Sequence, residues 1–419
     1  MLQNAQKSVI YAKEEKYTLR IYSLLFAIIL IDPLFSFLIP STTLLRSCEL
    51  VCLFSILYYE YSIFQINKLK YINGFSYGLF IILATISISI IIRGHWPTNL
   101  KDIGLHILSP TTIYLLPFFI LPLPNRKYFK ELLHLFFKIS LIVIPIWFIH
   151  SSELVQKGTF KGESIGAFLP FISAFILGLG SYFNKKQKYA TYTIWGIYFI
   201  LMLLNARRNV SFSLALYALI AYLFSIRNEL KKNLPKFILI LLASILAFQI
   251  LLLNLDSLTR GTFQNMANRA KEDTRSGIEE LFFIDFMKSP IEDWIFGRGM
   301  DGGYYKFTID KETGEISDNR TVIETGYLHL MLKGGIIYDI IIIMFIFISL
   351  SRVLKSTQKT LQYIGVILST YLVDLYTTNP VCIYSVRSIL FWFLISICIQ
   401  SSNKTNRKRI FKNSQYISI

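Results

Sequence analysis

The chain has 419 residues, of which 53% are hydrophobic and only 16% charged, and its formal net charge is +17. Soluble domains carry about 25% charged residues, so this composition excludes a water-facing surface over most of the chain. The basic excess follows the loops between apolar runs, as described below. It is therefore explained by membrane topology and does not indicate a nucleic-acid-binding protein.

Long uncharged runs recur along the chain, each in a segment long enough to cross about 30 Å of hydrocarbon as a helix. Because only helices and closed barrels span membranes, and these runs are continuous rather than alternating, the sequence predicts an all-α integral membrane protein. The N-terminal segment is polar and mixed in charge, so the first helix itself is expected to direct insertion. We place about twelve spans near 19–39, 43–64, 74–93, 103–121, 135–152, 164–183, 189–205, 209–226, 237–255, 325–350, 360–377 and 384–401.

Lysine and arginine concentrate in alternate loops. With the N-terminus in the cytoplasm, every short inner loop is basic, and these loops together with the two termini hold more than half of the 43 basic residues. Such a bias sets the orientation of a membrane protein, so both termini are predicted to be cytoplasmic. The chain then divides into nine helices over 1–255, a large outer loop over 256–323, and three helices with a basic tail over 324–419.

The large loop has a recognisable internal order. Its first half is rich in helix formers and carries an apolar patch suited to a membrane surface. A glycine-rich turn, WIFGRGMDGG, follows, and the next stretch alternates around KETGE in the manner of a β-hairpin. The loop is too small to be an independent enzyme domain of ordinary size. We interpret it as a lid over a cavity formed by the helices.

Several charged residues converge on the outer face. A charged side chain in a membrane is costly and usually faces a cavity or a partner. The planar guanidinium fork suits phosphate, because it stays charged and donates two parallel hydrogen bonds. The candidate phosphate-binding residues are Arg207, Arg208, Arg275, Arg298 and Arg387, and the acidic residue beside them is Glu324.

These motifs resemble those of the bacterial O-antigen and capsule polymerase (Wzy-like) and O-antigen ligase superfamily. The likeness covers mainly 200–345. It consists of arginines at a tight outer turn (Arg207 and Arg208), an arginine before a short helix and a Pro…Gly-x-Gly turn (Arg275, then 290–299), and the stretch 324–335 that opens the next span and ends in glycines. We read Gly334 and Gly335 as permitting close helix packing.

The resemblance implies a GT-C-like fold in a bacterial inner membrane and a glycosyltransferase that uses undecaprenyl-diphosphate-linked oligosaccharide. Arg207, Arg208 and Arg275, with Arg298 and Arg387 as further candidates, would hold the diphosphate, and Glu324 would be the catalytic base. No metal or other cofactor is expected, since arginines can supply the charge. Membrane lipids are expected partners, whereas binding of a chain-length regulator stays open. Ligases of this superfamily usually present histidine where this chain has Glu324, which favours a polymerase over a ligase.

Structural explanations stand beside these assignments. Arg207 and Arg208 could anchor two short helices at the interface, and Arg275 could pair with a neighbouring glutamate on a solvated helix. Arg298 could complete a turn, and Arg387 could be an interfacial anchor. Glu324 could complement a helix dipole. His329 and Lys333, four residues apart, could line the cavity or simply pack.

A transporter or lipid-linked-oligosaccharide flippase is the alternative from another class. Asp32, Asp339 and Asp374 lie within predicted spans, where acids carry protons or pair with arginines. Two similar halves are expected of many transporters, and the chain shows no internal repeat. The single large and late outer loop also favours the polymerase.

Overall fold

A computed structural model describes residues 2–35, 42–67, 75–149, 170–204, 213–224, 276–309, 316–377, 379, 381 and 383–401. Three candidate residues, Arg207, Arg208 and Arg275, lie outside the described residues, as does the predicted span 237–255. The chain divides into two compact units, each described by itself. The first comprises Met1–Leu135 and Phe286–Ile419, and the second comprises Phe136–Asp285.

The regular secondary structure of the described residues is helical apart from one β-hairpin. The α-helices before the large loop are α1 (Leu2–Phe35), α2 (Thr42–Asn67), α3 (Phe75–Ile92), α4 (Leu100–His106), α5 (Thr112–Ile120), α6 (Phe129–Ile149), α7 (Pro170–Leu177), α8 (Lys185–Leu204) and α9 (Ser213–Phe224). Those within and after it are α10 (Ser276–Met287), α11 (Ile291–Phe296), α12 (Gly326–Leu354), α13 (Lys359–Thr377) and α14 (Val386–Gln400).

Two of the described helices are long and apolar enough to cross a membrane, namely the segments Thr43–Ile66 in α2 and Gly326–Val353 in α12. Three further helices, α3, α9 and α14, contain shorter apolar stretches. These lengths and compositions agree with the predicted helical membrane protein at a coarse level. The full count of about twelve spans stays a prediction.

Helix α14 forms the core of the first unit. All of its residues from Val386 to Gln400 are buried, as expected for a helix that is apolar on every side. It packs against α12, α13 and α5. Ser385 and Ser388 form a reciprocal capping box at its start, which satisfies backbone donors that a helix N-terminus would otherwise leave unpaired.

The predicted span 103–121 is not one regular helix. Helix α4 is followed by a π-helical turn, Ile107–Thr111, and then by α5. Pro110 lies inside the π-helical turn and Pro117 inside α5. Proline cannot donate the helical hydrogen bond and its ring crowds the preceding turn. The series of helical backbone hydrogen bonds is therefore interrupted, although the apolar pattern alone predicts a continuous helix.

In the second unit, α7 packs against α8. A glycine-containing 3₁₀ turn, Gly180–Tyr182, links them and shortens the predicted span 164–183. Tyr198 of α8 donates its hydroxyl to the carbonyl of Ser140 at 3.2 Å. This bond ties α8 to the part of α6 that belongs to the same unit.

The large loop contains both elements that its sequence predicts. Helix α10 buries Phe282 and Phe286 while leaving Ile284 and Met287 exposed. Strands β1 (Tyr304–Ile309) and β2 (Ile316–Arg320) pair antiparallel, with Tyr304 opposite Arg320 and an irregularity after Tyr305. The helix and the hairpin are therefore confirmed.

Candidate functional site

The centre of the candidate site is a break in α12. Gly335 has φ 68° and ψ −175°, a non-helical conformation inside the helix. A helix that stops leaves its last carbonyls without intrahelical donors. Here the carbonyls of Leu332 and Lys333 accept the backbone N–H groups of Arg298 at 2.8 Å and Gly299 at 3.0 Å. The glycine-rich segment 297–303, named the glycine turn, is thus docked onto the broken helix through its backbone.

This docking requires glycine on both sides. A Cβ atom on Gly335 would lie 2.1 Å from the carbonyl oxygen of Ile295, and one on Gly297 would lie 2.4 Å from the carbonyl carbon of Lys333. Both glycines also have φ near +70°, a region that other residues rarely adopt. The two backbones therefore approach more closely than any side chain would allow. The sequence prediction of close packing at Gly335 captures this approach but not the helix break.

Arg298 holds the glycine turn to the preceding helices. Its Nε donates to Asp293 Oδ2 at 3.0 Å, its Nη1 donates to the Gly303 carbonyl at 2.5 Å, and its Nη2 donates to the Ser289 hydroxyl. The guanidinium also lies over the ring of Phe286, 4.7 Å from its centre. These contacts give Arg298 a structural role within the large loop. Its predicted contact with a diphosphate stays a prediction.

We expect Arg298→Ala to lower the free energy of unfolding by about 2–3 kcal/mol, because hydrogen bonds of a charged group contribute about 1.5–3 kcal/mol each and are not additive. Thermal unfolding of the detergent-purified protein measures the effect. Lys288→Ala is the matched control, since Lys288 is an exposed cation in the same loop. Equal melting temperatures for the two variants would contradict the structural role of Arg298.

Asp301 joins the glycine turn to the segment after α3. One carboxylate oxygen accepts the backbone N–H of His95 at 2.9 Å, and the other lies 2.9 Å from His106 Nε2. Trp96 packs edge-on against the His106 ring, with 5.1 Å between ring centres. This pair could not be predicted from the sequence, because 195 residues separate its members and no local pattern connects them.

His329 and Lys333 are both buried. Lys333 Nζ donates to the Gly302 carbonyl at 2.8 Å, and His329 Nδ1 accepts the backbone N–H of Ile323 at 3.3 Å. Of the two possibilities raised by their spacing, these contacts support packing. Both side chains hold loop backbone to the first turns of α12.

Glu324 lies between the hairpin and α12, two residues before the helix begins. Its side chain is 55% exposed, and its carboxylate is 4.0 Å from Arg320 Nη2. Arg320 also lies near Tyr304, its partner across the hairpin. Burial raises the pKa of the Tyr304 phenol, and the Arg320 guanidinium partly opposes this shift. Glu324 is thus an accessible carboxylate beside a cation.

Arg387 is enclosed in the first unit. Its side chain is 2% exposed, and its Nη2 lies 2.6 Å from Asp374 Oδ2. The pair joins the start of α14 to α13. Of the two possibilities raised for Asp374, carrying a proton or pairing with an arginine, this contact supports pairing. The structure places Arg387 inside the protein and not at an interface with lipid headgroups.

The candidate residues that the structure describes all belong to the first unit. Each has its own ionic partner: Asp293 for Arg298, Arg320 for Glu324, and Asp374 for Arg387. Within the described residues, no group of three or more His, Cys, Asp or Glu could hold a metal ion.

Comparison with known protein families, curated proteins and solved structures gives no match for this chain. The function must therefore be inferred from its own residues and their arrangement.

Proposed function

We propose that the protein is a polysaccharide polymerase of a bacterial inner membrane. It transfers a glycan from a polyprenyl diphosphate, such as undecaprenyl diphosphate, onto a lipid-linked repeat unit at the outer face. The supporting observation is the accessible carboxylate of Glu324, which lies just before the start of a membrane-length helix. The large loop that precedes this helix folds onto the break within it. The order of the arginine and glycine motifs in the sequence supports the same proposal.

Glu324 differs in exposure from three other acids of the first unit. The side chains of Asp293, Asp301 and Asp374 are 19%, 27% and 5% exposed, and each lies beside a basic side chain: Arg298, His106 and Arg387, respectively. The Glu324 side chain is 55% exposed, and one of its carboxylate oxygens lies 4.0 Å from Arg320 Nη2. A general base must lie within hydrogen-bond reach of the hydroxyl that it deprotonates. Among these four acids, Glu324 is the most accessible to an acceptor hydroxyl.

The proposed reaction is a displacement at the anomeric carbon of the donor glycan. Glu324 accepts the proton of the acceptor hydroxyl as its oxygen bonds to that carbon. The bond from the carbon to the diphosphate breaks, and the electron pair leaves with the diphosphate on its lipid. Arg207, Arg208 and Arg275 are the proposed partners of this leaving group, because preorganised donors stabilise charge that develops in the transition state. Arg298 and Arg387 are weaker candidates, since each is held within the protein.

An alternative within the same chemistry is an O-antigen ligase, and one outside it is a flippase for lipid-linked oligosaccharide. The broken helix α12 is the observation that favours a flippase, because discontinuous helices are common in transporters. The glycan on the surface of a strain that lacks this protein distinguishes a polymerase from a flippase. Loss of a polymerase leaves single repeat units on the surface, whereas loss of a flippase leaves none.

Complementation of that strain tests the arginines. Arg207→Ala, Arg208→Ala and Arg275→Ala are each expected to lower the yield of polymer by about 100-fold, a typical cost of removing one donor to developing charge. Protein abundance should be unchanged. Lys288→Ala, which removes an exposed cation from the large loop, should leave polymer length normal. Normal polymer in all three arginine variants would contradict the proposed role of these arginines in binding the diphosphate.

Glu324→Gln is expected to reduce turnover by about 100- to 10,000-fold, the usual contribution of general base catalysis. Binding of the lipid-linked donor should survive, because the amide keeps the size of the side chain. Initial rates and donor affinity of the purified variant measure the two effects separately. Glu280→Gln, at an exposed acid of α10, is the control. A wild-type rate in Glu324→Gln would exclude Glu324 as the base.

A further inference from the structure

Arg93 is a partly exposed arginine that directly follows α3. Helix α3 is apolar over Phe75–Ile92, and the predicted topology places its end at the outer face. Its 18 residues span about 27 Å, close to the thickness of the hydrocarbon core. Trp96, three residues beyond Arg93, is 40% exposed, and tryptophan is enriched where the headgroups begin. Arg93 is therefore expected to lie at the depth of lipid headgroups.

The backbone at Arg93 is fixed by the glycine turn. The N–H of Arg93 donates to the carbonyl of Ser89 at 3.0 Å, and the N–H of Met300 donates to the carbonyl of Ile90 at 3.1 Å. A Cβ atom on Gly299 would lie 2.8 Å from the Arg93 carbonyl oxygen. The backbone that carries the Arg93 side chain is thus held in place before any ligand binds, which lowers the cost of binding.

The guanidinium of Arg93 shares one carboxylate with Arg298. Arg93 Nη2 lies 3.7 Å from Asp293 Oδ1, whereas Arg298 Nε donates to Asp293 Oδ2 at 3.0 Å. Among the residues that the structure describes, Asp293 is the only acid within ion-pair distance of Arg93. Two positive charges therefore face one negative charge, and this part of the first unit carries an excess of positive charge.

The two arginines differ in the donors that they leave open. All three nitrogens of the Arg298 guanidinium donate to the protein. The Arg93 guanidinium donates no hydrogen bond to a described residue, because its contact of 3.7 Å with Asp293 is too long for one. Its side chain is 34% exposed, and a guanidinium carries five N–H donors. Arg93 is thus an accessible cation whose donors are open to a ligand.

We propose that Arg93 binds the diphosphate of the polyprenyl carrier. The inference rests on the proposed function, which supplies a lipid-linked diphosphate as the substrate. The parallel N–H donors of a guanidinium match phosphate oxygens in geometry and charge. A diphosphate carries more negative charge than the single phosphate of an ordinary phospholipid, so a site with excess positive charge favours the carrier. Its polyprenyl chain stays in the bilayer beside the headgroup region.

The glycine turn connects Arg93 with the proposed base. At one end of the turn, Gly299 packs against the Arg93 backbone. At the other end, a Cβ atom on Gly303 would lie 3.0 Å from the carbonyl oxygen of Arg320, whose guanidinium lies 4.0 Å from Glu324. Four residues of extended chain cover at most about 14 Å. Arg93 and Glu324 therefore belong to one region of the first unit, as a shared donor substrate requires.

The test measures binding of undecaprenyl diphosphate, without a glycan, to the full chain in phosphatidylcholine nanodiscs. Native mass spectrometry counts the retained carrier. We expect Arg93→Gln to weaken binding at least about tenfold, which corresponds to the loss of one charge-assisted hydrogen bond. Arg93→Lys keeps the charge but loses the planar fork, so it should also bind more weakly than wild-type protein. Lys101→Gln, which removes an exposed cation from the same predicted outer segment, should bind normally.

Wild-type affinity in Arg93→Gln would overturn the role of Arg93. So would displacement of the carrier from wild-type protein by an equal amount of dioleoyl phosphatidylglycerol, because the site would then bind any lipid phosphate. Should Arg93→Gln fail to accumulate, wild-type affinity in Arg93→Lys would overturn the proposal in its place. These results leave the proposed function standing if wild-type protein builds a polymer. Wild-type protein that neither binds the carrier nor builds a polymer would overturn the proposed function itself.

Discussion

Gly335→Ala is expected to destabilise the protein by about 3 kcal/mol or more. The backbone at this position has φ 68° and ψ −175°, a region that is almost exclusive to glycine and costs other residues about 1–3 kcal/mol. The new Cβ would also lie 2.1 Å from the Ile295 carbonyl oxygen, so the end of α11, which leads into the glycine turn, would have to move away. We therefore expect loss of stability and, if the proposed function holds, loss of glycan polymerisation with it.

Gly78→Ala is the matched control for this substitution. Gly78 lies within α3, and a Cβ atom there would meet nothing within 4 Å among the described residues. In a helix interior, alanine is favoured over glycine by roughly 0.5–1 kcal/mol. Thermal unfolding should therefore show Gly78→Ala at or slightly above the wild-type melting temperature and Gly335→Ala well below it. Similar melting temperatures for the two variants would contradict the docked arrangement.

Breaking the ion pair between Arg387 and Asp374 is the second change with a large expected effect. Both side chains are almost fully buried, at 2% and 5% exposure. Removing one member of a buried pair leaves an uncompensated charge and costs about 3–5 kcal/mol. We therefore expect Arg387→Met and Asp374→Leu to fold poorly when made singly.

The double variant Arg387→Met/Asp374→Leu separates structure from function at this position. Replacing both members by apolar residues of similar volume is often neutral or stabilising, so its melting temperature should return to near the wild-type value. Polymer formation should return with it if Arg387 only supports the fold. A stable double variant that makes no polymer would instead support the predicted contact of Arg387 with the diphosphate.

Local patterns predicted the local elements of this protein. The alternation of apolar and polar residues on either side of KETGE predicted the hairpin, because strand periodicity is visible over a few residues. The helix-forming residues ahead of Pro290 predicted α10, and the long apolar runs predicted α2 and α12. The interruptions around Pro110 and Gly180 were less predictable, since proline and glycine occur in both intact and broken membrane helices.

The contacts that build the candidate site depend on distant parts of the chain and could not be predicted. The glycines of the turn were visible as a motif, but nothing local shows that the turn docks at Gly335. The contact between His106 and Asp301 has no sequence signature.

The most direct measurement supplies purified protein in nanodiscs with a polyprenyl-diphosphate-linked repeat unit and resolves the products by size. We expect a ladder of lengthening lipid-linked glycan with wild-type protein and only the single repeat with Glu324→Gln. Failure of folded wild-type protein to join two repeats, or an equal ladder from Glu324→Gln, would contradict the proposed function.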